Sequence, residues 1–334
     1  MAGAKRGGRG RRLLLTVGAL ALAMAGCAAW LLRDPVPGMR ARHGSLRASD
    51  LVPVDSAGRY VNERIVLRSA SGLRAELLLR RPAVTAASPA ANPRATTGSE
   101  APSARRRPVF IILGGHTTQE RAATLIEDPG DNIVAAMAYP FQGDPRVKGL
   151  AVVPLVPRIR KALLDTPPAV MLALDYLRAR PDVDTARIEL VGASFGAPFA
   201  AMTAALDTRV TRLWLVHGAG QPYALLEHNL RKSIPWKAPR VLVAALADLL
   251  AAGPRFAPER WVPLVSPRPV IMINATEDER LPRSSIETLH ESAREPKEII
   301  WLPGQHIRSN RKAIIEGLVK LVLARSAMPA RAGS

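Results

Sequence analysis

The sequence predicts an α/β architecture: a mostly parallel sheet of eight strands, with helices on both faces and a helical insertion late in the chain. Three observations carry this. Short apolar runs alternate with helix-period segments from residue 109 to 325, the pattern of repeated strand–helix units. Several of those runs end in glycine-rich or polar turns, as the carboxyl edge of a parallel sheet requires. The third is Gly192-Ala193-Ser194-Phe195-Gly196, a Gly-x-Ser-x-Gly stretch lying between a strand pattern and a small-residue helix.

At 334 residues the chain has length for one large domain with appendages. Met1 to Arg12 carries Lys5, Arg6, Arg9, Arg11 and Arg12 and no acid, and Leu13 to Leu32 gives 20 residues without a charge. That length crosses a bilayer, and the preceding basic residues place the N-terminus in the cytoplasm and the body outside it, periplasmic or extracellular. Three fates compete for residues 1–33: a retained anchor, a cleaved signal peptide, or a lipoprotein signal processed at Met24-Ala25-Gly26-Cys27. Ala28 to Leu32 stay apolar, which favours the anchor. Cys27 is the one cysteine, so no internal disulfide can form.

Residues 34–59 read as a linker. Asn62–Leu67 and Arg74–Leu79 read as two strands joined at Ser71-Gly72. Residues 83–107, rich in Ala, Pro, Ser and Thr, read as a mobile surface excursion. Val109–Leu113 is a buried-strand run ending in Gly114-Gly115-His116-Thr117, and Ile133–Ala138 is the next. Residues 144–166 are interrupted by proline. Pro168–Arg180 reads as a helix with Val170, Leu174 and Leu177 on its core face and Pro168 in its first turn. Ile188–Gly192, Arg212–Val216, Val270–Asn274 and Glu298–Leu302 complete the strands, and Asn310–Arg325 is a closing helix before a tail at 326–334. Between the sixth and seventh strands, residues 221–265 break the alternation and read as a lid insertion. Its Arg240–Ala252 stretch is apolar on most sides, and with Trp236 and Trp261 it is a candidate wall for an acyl pocket.

The net charge of +19 is unevenly spread: residues 1–47 carry nine Lys/Arg against Asp34, and residues 80–107 carry six Arg against Glu100. Basic tails without interleaved aromatics exclude a nucleic-acid-binding reading and favour attraction to an anionic membrane surface.

A serine hydroxyl becomes a useful nucleophile when a sharp turn presents it beside a base and near backbone donors. Glycines at 192 and 196 permit that turn, and the N–H of Phe195 at the helix start is a candidate oxyanion donor. A second donor is expected from the turn at 114–117. Ser194, one of the acids Glu277, Asp278 and Glu279, and His306 each follow a different strand, so their side chains meet at one sheet edge. Such a set lets His306 take the serine proton while the carboxylate orients the imidazole. His217 also follows a strand, but it falls before the acids in the chain and reads as a structural or pocket-lining histidine.

Together with Leu174-Asp175-Tyr176-Leu177 and Pro181-Asp182-Val183-Asp184 ahead of the serine, these motifs resemble the α/β-hydrolase family over roughly residues 60–325. The likeness is nearest to dienelactone-hydrolase and S9-peptidase-like serine esterases. The family's acid turn is matched at Asp278, Leu281 and Pro282, with Ala275 in place of its glycine, and this selects Asp278 over its neighbours. Pro303-Gly304-Gln305-His306 is similar to the family's Gly-x-His. Gly114-Gly115 precede His116 where the family often has His-Gly, so the second oxyanion donor is His116 or Thr117. The resemblance implies a serine hydrolase that cleaves a carboxylic ester with an apolar acyl part through an acyl-enzyme, without cofactor or metal. Amide or peptide cleavage, acyl transfer, and a non-catalytic binding role on the same scaffold are the alternatives.

Overall fold

The computed structural model describes residues 33–83, 105–141, 143–144, 147 and 149–328, with isolated positions between 15 and 29. Most of the expected anchor at 1–33 and most of the expected loop at 83–107 lie outside the described residues. Among the described residues no helix is long and apolar enough to cross a membrane.

The sheet has nine strands, one more than the sequence reading counts. They are β1 (Leu46–Ala57), β2 (Tyr60–Ser69), β3 (Arg74–Pro82), β4 (Arg107–Leu113), β5 (Ile133–Met137), β6 (Val183–Ala193), β7 (Arg212–Val216), β8 (Val270–Ala275) and β9 (Lys297–Leu302). Their order across the sheet is β1-β2-β3-β5-β4-β6-β7-β8-β9. The first three strands are antiparallel, and β5 through β9 run parallel to one another.

The expected linker at 34–59 is instead a helix, α1 (Val36–His43), followed by β1. β1 escapes a pattern reading because Asp50, Pro53 and Asp55 interrupt its apolar positions. An outer strand tolerates this: its proline owes no hydrogen bond to a further neighbour.

Ten helices of α type are described, and the second, third and fourth connect the central strands: α2 (Ala122–Leu125), α3 (Val156–Arg178) and α4 (Ala197–Leu206). The helix α3 begins well before the expected Pro168, so Pro167 and Pro168 lie inside it. A proline inside a helix strips a carbonyl four residues back of its donor. Here the guanidinium of Arg42 on α1 donates to the freed carbonyl of Leu164 at 3.2 Å and forms an ion pair with buried Asp165. The compensation comes from 122 residues away.

Between β7 and β8 lie α5 (Pro222–Leu230), α6 (Lys237–Leu250), α7 (Gly253–Phe256) and α8 (Pro258–Trp261). α9 (Arg283–Ser292) and α10 (Lys312–Ser326) follow β8 and β9. Side chains alternate across the sheet. Val109, Ile111 and Leu113 face a core shared with α3 and α4, while Phe110 and Ile112 face the side of α2 and α10. The chain reverses its direction of travel across the sheet between β4 and β6, which opens a crevice at their carboxyl ends.

Candidate active site

Ser194 stands at the carboxyl end of β6, with a φ of 53°. That left-handed conformation costs about 1–3 kcal/mol for a residue with a Cβ and persists where its surroundings hold it. The two glycines explain how. A Cβ on Gly196 would collide with the Leu113 carbonyl at the end of β4, and one on Gly192 would lie 2.6 Å from the Ala200 Cβ of α4. Both positions therefore let the turn be pressed between β4 and its own helix, and the hydroxyl points out over the crevice.

The Oγ of Ser194 is 2.7 Å from Nε2 of His306. On the other side of that ring, Nδ1 is 2.7 Å from Oδ2 of Asp278. Asp278 follows β8 and His306 follows β9, so three strand ends supply the three groups. The Oδ1 of Asp278 accepts the N–H groups of Arg280 and Leu281, each at 2.9 Å. Burial alone would raise this carboxyl; its bonds from His217 and His306 and from backbone N–H groups hold it well below the usual range. It stays a carboxylate against the imidazole at any pH near neutral.

Neighbouring acids divide the work. Glu277 is exposed. Glu279 accepts the backbone N–H of His306 at 3.0 Å and pairs with Arg308 and Arg311. Burial pushes its carboxyl up, but that N–H bond and Arg311 bring it down to about 2. It fixes the main chain of His306 where Asp278 fixes the ring.

His217, at the carboxyl end of β7, is buried and has a φ of 50°. Its ring stands edge-on to His306 at 5.3 Å. Its Nδ1 lies 3.3 Å from both Oδ2 of Asp278 and the N–H of Ile307. That nitrogen donates to the first or accepts from the second, and cannot do both in one tautomer. Among the described residues, His217, Asp278 and His306 are the group whose donor atoms could gather around a metal ion, lying within 4.8 Å of one another. Each of those atoms already has a hydrogen-bond partner inside the set or on Ile307.

The turn after β4 borders the serine. Its Thr118 and Gln119 N–H groups both go to the Gly115 carbonyl at 3.0 Å. The N–H groups of His116 and Thr117 have no acceptor among the described residues. Burial, then repulsion from Arg280, lowers the pKa of the His116 ring, so the side chain is neutral at pH 7. Tyr139 was not foreseen: from the end of β5 its hydroxyl bonds the Gly114 carbonyl and holds the turn in place. Tyr139 and Phe195 also pack edge-to-face at 5.2 Å.

Ser194, Phe195, His116, Thr117 and His306 open onto one cavity of about 1340 Å³. Leu225 and Leu226 of α5 and Asp248 and Ala251 at the end of α6 line part of it. The expected tryptophan walls are elsewhere. Trp236 is 75% exposed, and Trp261 donates its indole N–H to the Arg255 carbonyl at 2.7 Å, away from the cavity. Aromatic pocket walls were inferred from nearness in sequence, but the turn before α6 points Trp236 outward.

No family model matches the chain. A protein of Salmonella typhimurium, the uncharacterized YfhR, is 28% identical over 142 residues, which are 40% of this chain and 45% of that relative. The chain thus matches less than half the length of its curated relatives. Solved structures match far more of it. Acetyl xylan esterase 1 from Thermoanaerobacterium sp. JW/SL YS485 superposes with a TM-score of 0.57 at 12% identity, over 87% of this chain and 94% of that one. The 2,6-dihydroxy-pseudo-oxynicotine hydrolase gives a TM-score of 0.52 at 18% identity, over 80% and 70%. The α/β hydrolase GrgF from Penicillium sp. sh18 gives 0.50 at 15%, over 84% and 100%. The fold is that of the α/β hydrolases.

Proposed function

We propose that this protein is a serine hydrolase that cleaves a carboxylic ester through an acyl-enzyme. The observation that carries the reading is the unbroken relay of Ser194 Oγ, the two nitrogens of His306 and Asp278 Oδ2, with both contacts at 2.7 Å. The esterases among the structural neighbours support the choice of an ester.

In this mechanism Nε2 of His306 takes the proton of Ser194 as Oγ attacks the ester carbonyl. Negative charge gathers on the carbonyl oxygen, where the N–H of Phe195 and that of His116 or Thr117 receive it. His306 then gives its proton to the departing alcohol, leaving the acyl group on Ser194. Water then attacks the acyl carbon as it loses a proton to His306, and when the bond to Oγ breaks His306 returns that proton to Ser194, releasing the acid and the free serine. Asp278 keeps the ring in the tautomer with Nδ1 protonated and stabilises the imidazolium at each stage. The helices between β7 and β8 serve as the lid over the cavity, which their lining residues support. Residues 13–32 anchor the body to the membrane with the catalytic domain outside the cytoplasm, on the strength of the uncharged run and the basic residues before it.

Labelling with a serine-directed fluorophosphonate tests the reading. The wild-type protein should react and Ser194→Ala should not, with ester turnover reduced by about 10⁴-fold or more. Near wild-type turnover by a folded Ser194→Ala protein would overturn it.

A further inference from the structure

The cavity does not end at the sheet edge. From Ser194 it continues down the face of the sheet that α2 and α10 cover, lined there by Phe110, Ile112 and Val191 on the strands and by Leu318, Val319 and Val322 on α10. The cause is in the chain. The connection from β4 to β5 spends its turns on a 3-10 segment and the four-residue α2, where a longer crossover helix would shield the face. Phe110, Ile112, Val191 and Leu318 are buried in one apolar cluster, with Val322 packed against it, so this inner slot of the cavity is enclosed by apolar side chains. None of those six side chains carries a polar atom, and water gains little in such a slot because it finds no partners there. The whole cavity, about 1340 Å³, exceeds the roughly 300–1,000 Å³ of ordinary small-molecule sites.

We infer that this limb between the sheet and α10 holds a long unbranched acyl chain, so that the substrates are esters of medium- to long-chain fatty acids rather than of acetate. This deepens the proposed reading of Ser194 and rests on it. The limb is continuous with the nucleophile, so a chain lying in it is joined to the carbonyl that Oγ attacks. An acetyl group would leave the limb empty, whereas each methylene laid along it leaves water for apolar surface.

Two experiments on the full-length protein test the inference. In a series of esters of one alcohol, from acetyl to dodecanoyl, kcat/KM should rise by up to about fourfold per buried methylene until the limb is full. Val319→Trp, which fills the limb from a half-buried position, should remove at least about tenfold of the octanoyl rate and leave the acetyl rate within about twofold. A flat or acetyl-preferring series would overturn the assignment. So would a gain that follows the alcohol chain instead, or an equal loss on both esters in a Val319→Trp protein of unchanged melting temperature. The second experiment does not need turnover: dodecanoic acid bearing a diazirine, irradiated with Ser194→Ala protein, should label peptides from β4 or α10, and excess dodecanoate should compete. Labelling confined to other segments would sink the inference. If no ester is hydrolysed but α10 is labelled, the reading of Ser194 has failed and the acyl limb stands.

Discussion

One carboxylate can hold Nδ1 of His306, and three acids stand in a row to supply it. The contacts separate them. Asp278 bonds the ring at 2.7 Å, Glu279 bonds the main-chain N–H of the same residue, and Glu277 is exposed. Asp278→Asn replaces the acceptor with a group that favours the wrong imidazole tautomer, and kcat should fall by about 10⁴-fold. Glu279→Gln loses charge but keeps an acceptor, so a fall of about tenfold is expected, and Glu277→Gln should be neutral. Steady-state kinetics on the three purified proteins decides this; a largest loss at Glu277, or equal losses, would show that another carboxylate orients the ring. The positions of Ser194, Asp278 and His306 were legible in sequence because each closes a strand and sits in a short motif. His217, read as a structural or pocket-lining histidine, is buried and lines the cavity, whereas the roles of Glu279 and Tyr139 were not legible. Each is defined by a contact made across the fold, such as the bond from Tyr139 to a carbonyl 25 residues earlier, and no local pattern marks it.

Elements were read well where apolar periodicity acted alone and badly where a distant residue repaired a local defect. The strands β4, β5, β7 and β8 are buried along almost their whole length, and β6 over Ile188–Gly192, so their apolar runs are unambiguous. Pro168 looked like a helix start because a proline inside a helix normally breaks it, and nothing near it in sequence announces that Arg42 donates to the carbonyl of Leu164 that it leaves free. β1 was taken for linker because an edge strand tolerates a proline and polar residues. α6 carries a different strain. Its Asp248 is 8% exposed, its Oδ1 has no hydrogen-bond partner among the described residues, and burial, then Glu259, push its pKa up to about 6. The folded state therefore binds this proton more tightly than the unfolded chain does. Stability from this group falls as pH rises from about 4 to 6, and above pH 6 the full cost of about 2–3 kcal/mol applies. Asp248→Asn should accordingly raise the melting temperature by about 4–8 °C at pH 7.5 and by less than half as much at pH 4.5. A gain that is the same at both pH values would mean that ionisation of Asp248 is not the cause.

At the scale of the whole molecule, the basic excess and the uncharged run meet at one end of the chain. The catalytic residues proposed above all lie beyond Leu113, and the packing that α1 and Arg42 provide begins at Val36. The uncharged run at 13–32 precedes that packing, and its physical character bears on location. An uncharged segment of 20 residues after five basic ones is long enough to cross about 30 Å of hydrocarbon. Full-length protein should therefore pellet with membranes, with its body reached by protease added outside the cytoplasm, and deletion of 1–33 should yield soluble protein with kcat/KM within about twofold on a water-soluble short-chain ester, because the serine, its relay and the cavity are untouched. Cys27 then distinguishes the ways of being held. A membrane helix tolerates serine there, so Cys27→Ser should change neither the size of the protein nor its retention. A lipid-modified cysteine would lose its lipid label in that variant and leave an unprocessed precursor. The run from Ala28 to Leu32 stays apolar past the cysteine, which a helix crossing the bilayer requires and a chain cleaved before Cys27 does not, so the unchanged protein is the expected result. Full-length protein recovered from the soluble cytoplasmic fraction would refute anchoring of either kind.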